Sequence, residues 1–310
     1  MTSDETGRGE WSVPQELLDA LQYAFGNIRG RGLFAKGVFL EGRFVPSSTA
    51  RQLCSAKLFV HEEAHVLARF SNFAGSPRLA DTSPLARPHG FALKLTVPHE
   101  PELDVVSHSF DGFPSRTAAE FRNLLVAMGL SPQHLPSPTA FERYLHTHPT
   151  AQEFFANQRP PPESYATLTY HGVNAFKMTN AGGEQRHVRY RFVPRAGECN
   201  LTPEAATAKG RHYLSKELRN RLRASPIEFD WLVQIAESGD PIEDPSIRWP
   251  RDRNLELLGT VTLTQISQKQ SELDRKTLFM PANLPDGICA ADPMLPIRNA
   301  AYPLSYRRRQ

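Results

Sequence analysis

The C-terminal segment RNAAYPLSYRRRQ, residues 298–310, contains an arginine and a tyrosine four residues apart, Arg298 and Tyr302. On a helix, residues four apart share one face, so the guanidinium can lie beside the phenol. A neighbouring positive charge favours the phenolate, which is a hard anionic ligand suited to ferric iron. The same spacing also occurs in surface ion pairs and packing contacts, so this interpretation needs support from the rest of the chain.

Two other patterns in the chain are weaker indications of a metal site. Residues 61–65, HEEAH, satisfy the HExxH pattern of zinc proteases, which needs a helix to place both histidines on one face. The flanking segments SAKLFV and VLARFSN are typical of strands, so we expect a hairpin tip here. The three cysteines are far apart and form no CxxC pair, which indicates neither a zinc site nor a disulfide framework.

The composition is typical of a soluble globular protein, with 40% hydrophobic and 22% charged residues among 310. A formal charge of +3 does not predict nucleic-acid binding. No apolar run approaches the ~18 residues that span a bilayer, and no apolar signal region occurs near the N-terminus. We expect a cytoplasmic protein with no membrane span, whose first dozen residues (1–12) are polar and loose.

The elements that must position these side chains alternate between strands and helices. Periodicity and threonine caps predict helices over residues 14–27, 117–129, 138–157 and 202–224. Short apolar or alternating runs predict strands at Ala56–His61, Val66–Phe70, Phe91–Val97, Leu103–Val106, Ala166–Tyr170, Asn174–Met178, His187–Phe192, Glu228–Ile235 and Leu257–Thr264. Two blocks of antiparallel strands with inserted and C-terminal helices predict an α+β fold in one domain, residues 1–310, and a closed barrel removes exposed sheet edges.

Several separate segments together resemble the haem catalases. They are RGLFAKG (31–37), ARFSNFAG (68–75), ADT followed by GFALK (80–94) and RNAAY (298–302). The stretch 229–263 is similar to the late barrel strands of the small catalase-related proteins, which lack the long arms of full-length catalases. The resemblance covers most of residues 30–310 and implies a catalase-like closed antiparallel β-barrel that binds haem b.

The resemblance also implies a set of cofactor contacts. Tyr302 matches the tyrosine that binds the iron, as in catalase, and Arg298 matches the arginine that keeps it ionised. Arg31, Arg69 and Arg309 match arginines that pair with the haem propionates, since guanidinium forks bind carboxylates bidentately.

Three apolar side chains complete the implied haem pocket. Leu33 and Phe73 match apolar positions above the porphyrin, and Phe113 is a candidate for a further aromatic contact.

One departure from the family pattern bears on the reaction. Catalases read HAKG where this chain reads FAKG, so Phe34 replaces the distal histidine. Phenylalanine cannot move a proton between peroxide oxygens, and general acid–base catalysis is worth about 10²–10⁴-fold in rate. His108 and Asp111, in the loop that follows a predicted strand, are candidate replacements, although a lone histidine there is more often structural.

The sequence leaves three functions open. The favoured one is a haem-dependent enzyme that acts on an organic hydroperoxide, an N–O compound or another small organic substrate, and not efficiently on hydrogen peroxide. The second is a weak catalase or peroxidase that uses His108 or Asp111, and the third is a non-catalytic haem-binding protein. In each case we expect a small-molecule ligand, and a homo-oligomer is compatible with the family.

Overall fold

The computed structural model describes residues 12–26, 30–132 and 134–310. The predicted loose segment 1–12 lies outside these residues except for Ser12, which begins the first helix. Within the described part of the chain the strands are β1 (Gly37–Pro46), β2 (Ala64–Asn72), β3 (His89–Thr96), β4 (Leu103–His108), β5 (Tyr170–Thr179), β6 (Gln185–Pro194), β7 (Ile227–Ile235), β8 (Leu255–Ile266) and β9 (Ile288–Ala290).

Helices precede, interrupt and follow the strands. They are α1 (Ser12–Phe25), α2 (Ala50–Leu53), α3 (Ala118–Gly129), α4 (Ala140–Thr147), α5 (Pro149–Ala156), α6 (Pro203–Thr207), α7 (Tyr213–Ala224), α8 (Gln270–Lys276) and α9 (Met294–Arg307). None of the helices in the described residues is long and apolar enough to cross a membrane.

Strands β1 to β8 form a closed antiparallel barrel. Each strand pairs with its sequence neighbour, and β8 pairs with β1 to close the ring. The β4–β5 pairing is the shortest and joins His108 to His171. The short strand β9 adds to β5 outside this ring. The predicted α+β class and closed antiparallel barrel are confirmed.

Large aromatic side chains fill the barrel. Trp231 contacts Phe44, Phe59 and Phe192 at ring-centroid distances of 5.1–6.2 Å, and all four are buried. A second, smaller apolar cluster outside the barrel joins α1, α3 and the start of α9. Burial of apolar area at about 25 cal/mol per Å² makes these clusters the main stabilising contribution, and the second cluster fixes the helices that flank the site.

Two of the predicted strands are wrong in detail, and two strands, β1 and the short β9, were missed. Residues Ala56–His61 were predicted as a strand, but Lys57–Phe59 forms a 3-10 helix whose Leu58 and Phe59 are buried. HEEAH is therefore a turn that leads into β2, with neither the expected hairpin nor a helix around it. Of residues 166–170, the first two belong to a 3-10 turn and only Tyr170 is in a strand, as the first residue of β5. The strand β1 was not predicted because its interior carries Glu41, Gly42 and Arg43.

Two predicted helices are each divided in two. Residues 138–157 form α4 and α5, because Pro149 lacks the N–H that would continue the first helix and instead begins the second. Residues 202–224 form α6 and α7, with Gly210 in the break. The Thr117 cap is confirmed, because its hydroxyl accepts the N–H of Glu120, while the Glu120 carboxylate accepts the N–H of Arg116.

Three histidines, one buried and two half-buried, lie on neighbouring strands at one end of the barrel. His89 begins β3, His108 ends β4, and His171 faces His108 across the β4–β5 seam. Burial lowers the pKa of His89 and of His108 to about 3, and that of His171 to about 4. All three imidazoles are therefore neutral in the folded protein at neutral pH.

We predict that these histidines make folding sensitive to mild acid. In the unfolded chain each titrates near pH 6.5, so below that pH unfolding takes up protons and stability falls as the pH falls. Between pH 7 and pH 5 the loss is about 2 kcal/mol for each histidine. Urea denaturation at several pH values measures it.

A matched pair of variants isolates the contribution of burial. His171→Gln should reduce the loss by about a third, whereas His61→Gln, at an exposed turn, should leave it unchanged. A free energy of unfolding that stays constant between pH 7 and pH 5 contradicts the prediction.

The β1–β8 pairing predicts a second measurable effect. A Cβ at Gly42 would lie 2.0 Å from the backbone oxygen of Thr262, so Gly42→Ala must displace one strand of the barrel. We expect the free energy of unfolding to fall by about 2–4 kcal/mol. Gly210→Ala, where nothing lies within 4 Å, is the control and should change it by less than about 0.5 kcal/mol; equal effects of the two changes would contradict the prediction.

Candidate functional site

A large cavity lies between the barrel and the helices α1, α3 and α9. The space within it that is open to water is about 230 Å³, far above the roughly 10–15 Å³ that one buried water needs. It can therefore hold a sizeable organic group. The predicted site residues that line it are Arg31, Leu33, Phe34, Arg69, Phe73, His108, Phe113, Arg298, Tyr302 and Arg309.

The Arg298–Tyr302 pair has the predicted helical geometry. Both residues lie on α9, and the guanidinium donates to the phenolic oxygen of Tyr302 from Nε at 3.2 Å and from Nη2 at 2.6 Å. Donors that carry a positive charge form stronger hydrogen bonds to an anionic oxygen than to a neutral one. The pair therefore stabilises negative charge on the phenolic oxygen of Tyr302, a residue that lines the cavity.

Two residues that the sequence analysis missed hold Arg298 in place. Its Nη1 donates to Oδ1 of Asn174 on β5, and Nδ2 of Asn174 donates to Oδ2 of Asp292 at 2.7 Å. Oδ1 of Asp292 accepts the backbone N–H of Met294 at 2.8 Å at the start of α9. An aspartate just before a predicted helix is a recognisable cap, but nothing in the sequence associates it with Asn174.

Arg31, Arg69 and Arg309, here called the arginine cluster, converge at another edge of the cavity. Arg69 donates to the backbone oxygens of Phe34 at 2.8 Å and Ala35 at 3.2 Å. Burial, together with the neighbouring guanidinium of Arg31, lowers the pKa of Arg69 to about 9 and that of Arg309 to about 10. Three cations held this close together require anions nearby.

The donor set of this cluster is not fully used. Nε of Arg69 and Nε of Arg309 are buried and have no hydrogen-bond partner among the residues that the structure describes. A buried donor left without an acceptor costs about 1–3 kcal/mol, so these atoms indicate a ligand that carries acceptor oxygens. The arginine cluster, the phenol of Tyr302 and the apolar walls fit a haem, with its two carboxylates, its iron and its flat ring.

Phe34 lies in the cavity wall with an unusual backbone conformation. Its φ is +55°, in the left-handed region that few bulky residues adopt. The conformation is held by hydrogen bonds from its N–H to Phe73 at 2.7 Å and from Arg69 to its carbonyl. Its ring packs edge-on against Phe73 at 5.5 Å and passes so close to Gly90 that a Cβ there would lie 2.8 Å from Cδ1.

His108 supplies a polar atom to a largely apolar part of the cavity. Its Nδ1 accepts the backbone N–H of Phe110 at 3.4 Å, and its Nε2 is buried and has no partner within the described part of the chain. Because the imidazole is neutral and Nδ1 accepts, the proton is on Nε2. His108 therefore offers one N–H donor.

Asp111 does not line the cavity, unlike the other predicted site residues. Its carboxylate lies 3.7 Å from Nδ1 of His171 and 3.9 Å from Arg191, and its backbone oxygen accepts from Arg248 at 2.6 Å. Asp111 therefore contacts His171 at the β4–β5 seam and not the cavity.

Most of the remaining wall is apolar. Leu33, Phe73 and Phe113 line the cavity as predicted positions. Further wall residues on α1, α3 and α5 were not predicted, because the apolar faces of these helices are equally consistent with ordinary core packing. They are Leu17, Leu18, Leu21, Ala118, Phe121 and Phe154.

Comparisons with known proteins agree with this geometry. The family model described as catalase matches residues 16–310. A catalase-related peroxidase of Synechococcus elongatus is 32% identical over 302 residues, which cover 96% of this chain and 88% of that protein. Another from Mycolicibacterium paratuberculosis is 34% identical, with 96% of this chain and 95% of that protein covered.

A solved structure shows the same fold. A fungal catalase superposes with a TM-score of 0.81 at 23% identity, covering 91% of this chain and 59% of that one. From the family match over nearly its whole length, this chain belongs to the catalase family, among its small catalase-related proteins.

Proposed function

We propose that this protein is a haem-dependent enzyme that binds the iron of haem b through Tyr302 and converts a small organic substrate. The substrate class is an organic hydroperoxide or an N–O compound, and efficient dismutation of hydrogen peroxide is not the function. The observation that carries this proposal is the convergence of the Arg298–Tyr302 pair and the arginine cluster on one cavity.

The residues of the chain divide the binding task between them. The phenolate of Tyr302, held by Arg298, is the iron ligand, and the arginine cluster binds the propionates. Leu33, Phe73 and Phe113 contact the ring and exclude water. When bound, the ferric iron supplies the redox and Lewis-acid chemistry.

Phe34 argues against efficient hydrogen peroxide turnover. The resemblance to catalases implies a histidine at this position, and cleavage of a peroxide O–O bond needs a proton moved from one oxygen to the other. A phenyl ring cannot carry that proton. It instead extends the apolar wall beside Phe73, which favours an organic substrate over a small polar one.

His108 supports a binding role better than a base role. Its pKa of about 3 lies far below neutral pH, and a general base works best when its pKa is near the working pH. Its unpartnered Nε2–H can instead donate to a substrate oxygen. We infer that His108 orients the O–O or N–O group, while the apolar walls hold the remainder of the substrate.

A weak catalase or peroxidase is the second candidate. Two observations favour it: the relatives at 32% and 34% identity are named catalase-related peroxidases, and His108 provides a polar group in the cavity. In this case oxygen release from hydrogen peroxide would be abolished in His108→Ala. Oxygen release no faster than that of free haemin would exclude it.

The assignment of Tyr302 predicts a spectroscopic change. The haem-loaded protein should show a Soret band, and Tyr302→Phe should change the ferric spectrum and weaken haem binding by about tenfold or more, since an anionic ligand is lost. Tyr306→Phe, one turn further along α9, is the control and should leave the spectrum unaltered. No Soret band after loading, or an unchanged spectrum in Tyr302→Phe, overturns the proposal.

The assignment of Phe34 predicts a gain of activity. Phe34→His should raise oxygen release from hydrogen peroxide by about 10²-fold or more, because it supplies the missing proton carrier. Histidine tolerates a positive φ better than most residues, so the change should fold. Phe34→Leu is the control for altered packing; if it raises oxygen release equally, or Phe34→His raises none, the reason given for low catalase activity is wrong.

The Phe34→His variant also tests the proposed substrate class. A panel of organic hydroperoxides and oximes, titrated into the ferric wild-type protein, should include a compound that perturbs the Soret band and is consumed. Phe34→His should lose turnover of that compound as it gains oxygen release. Ligand binding with no consumption of any compound would instead indicate a non-catalytic haem-binding protein.

A further inference from the structure

Asp274, near the end of α8, contacts every member of the arginine cluster. Its Oδ1 accepts from Nε of Arg31 at 3.2 Å and from Nη2 of Arg69 at 3.3 Å. Its backbone oxygen accepts from Nη1 of Arg309 at 2.7 Å and from Nη2 of Arg31 at 3.2 Å. A single residue from the segment between β8 and β9 thus ties together three arginines that are far apart in sequence.

The carboxylate is an anion placed where anions are needed. Asp274 raises the pKa of Arg31, Arg69 and Arg309, opposing the lowering by burial and mutual repulsion. Arg69 is almost fully buried, with a side chain 4% exposed, whereas that of Asp274 is 49% exposed. The carboxylate therefore meets the cluster from its solvent side.

The propionates of a haem require the same donors. Nη2 of Arg69 is shared between Ala35 and Asp274, and a propionate bound as a fork would use Nη2 together with the unpartnered Nε. Two propionates and Asp274 would place three like charges around three guanidiniums. Each propionate is attracted by the arginines and repelled by Asp274.

We propose that Asp274 is an affinity-determining residue that competes with the haem propionates for the arginine cluster. It stabilises the cluster in the cofactor-free chain and weakens cofactor binding, so that loading is reversible. This inference rests on the proposed haem site, and it concerns the carboxylates of the cofactor, not its iron.

The competition predicts opposite signs for two measurements on Asp274→Asn. The affinity for ferric haem, titrated by absorbance, should increase by about fivefold to tenfold, within the usual range of coupling between charged sites. The thermal midpoint of the cofactor-free protein should fall by about 2 °C or more, because a counter-charge is lost. Glu272→Gln is the matched control, since Glu272 lies on the same helix and pairs with Lys276 at 2.9 Å, outside the cluster.

A porphyrin without iron separates this inference from the role of Tyr302. Asp274→Asn should tighten binding of metal-free protoporphyrin IX by a similar factor, measured by fluorescence, and should have no effect on its dimethyl ester, which has no free carboxylates. A gain that persists with the ester shows that the effect does not involve the propionates, and the proposal fails.

Two further outcomes overturn the proposal. If Asp274→Asn weakens haem binding and lowers the thermal midpoint together, Asp274 only positions the arginines; if neither quantity moves, it has no role in the cluster. Failure of the haem site itself looks different, because wild-type protein would then bind neither haem nor protoporphyrin.

Discussion

The position of α9 depends on one hydrogen-bonded chain, from Asp292 through Asn174 to Arg298 and Tyr302. A partly buried guanidinium without partners would be costly, so Arg298 must find acceptors on the barrel as well as on its own helix. Asn174 of β5 provides the first and the phenolic oxygen of Tyr302 the second. The height of the helix above the barrel, and hence the place of the phenol in the cavity, follows from that requirement.

The same constraint shapes the edge of the cavity at the arginine cluster. Arg69, on β2, lies in the barrel wall, and its guanidinium is satisfied by the carbonyl groups of Phe34 and Ala35. This fixes the segment before β1 and holds Phe34 in its left-handed conformation, with its ring directed against Phe73 and Gly90. A charge at one edge thereby determines the shape of the apolar wall beside it.

Much of the fold could be predicted from local pattern, and its failures have local causes. Strands β2–β4 and β6–β8 follow from alternating apolar runs that the barrel buries on one face. The strand β1 was missed because charged residues flank Gly42. A glycine is required there because the backbone of Thr262 approaches it closely, and not because the chain turns at this position. The two divided helices break at Pro149 and near Gly210. The prediction continued each helix through these helix-breaking residues because the apolar periodicity extends on both sides of them.

By itself, the sequence determined the pair Arg298 and Tyr302, because an i, i+4 spacing fixes a contact within one helix. Its resemblance to catalases also selected the arginine cluster and the departure at Phe34. Only the tertiary structure decided that Asn174 and Asp274 partner these arginines, since barrel closure brings together residues more than a hundred positions apart. It also separated His108, in the cavity wall, from Asp111 three residues later, because the end of a strand turns the chain away.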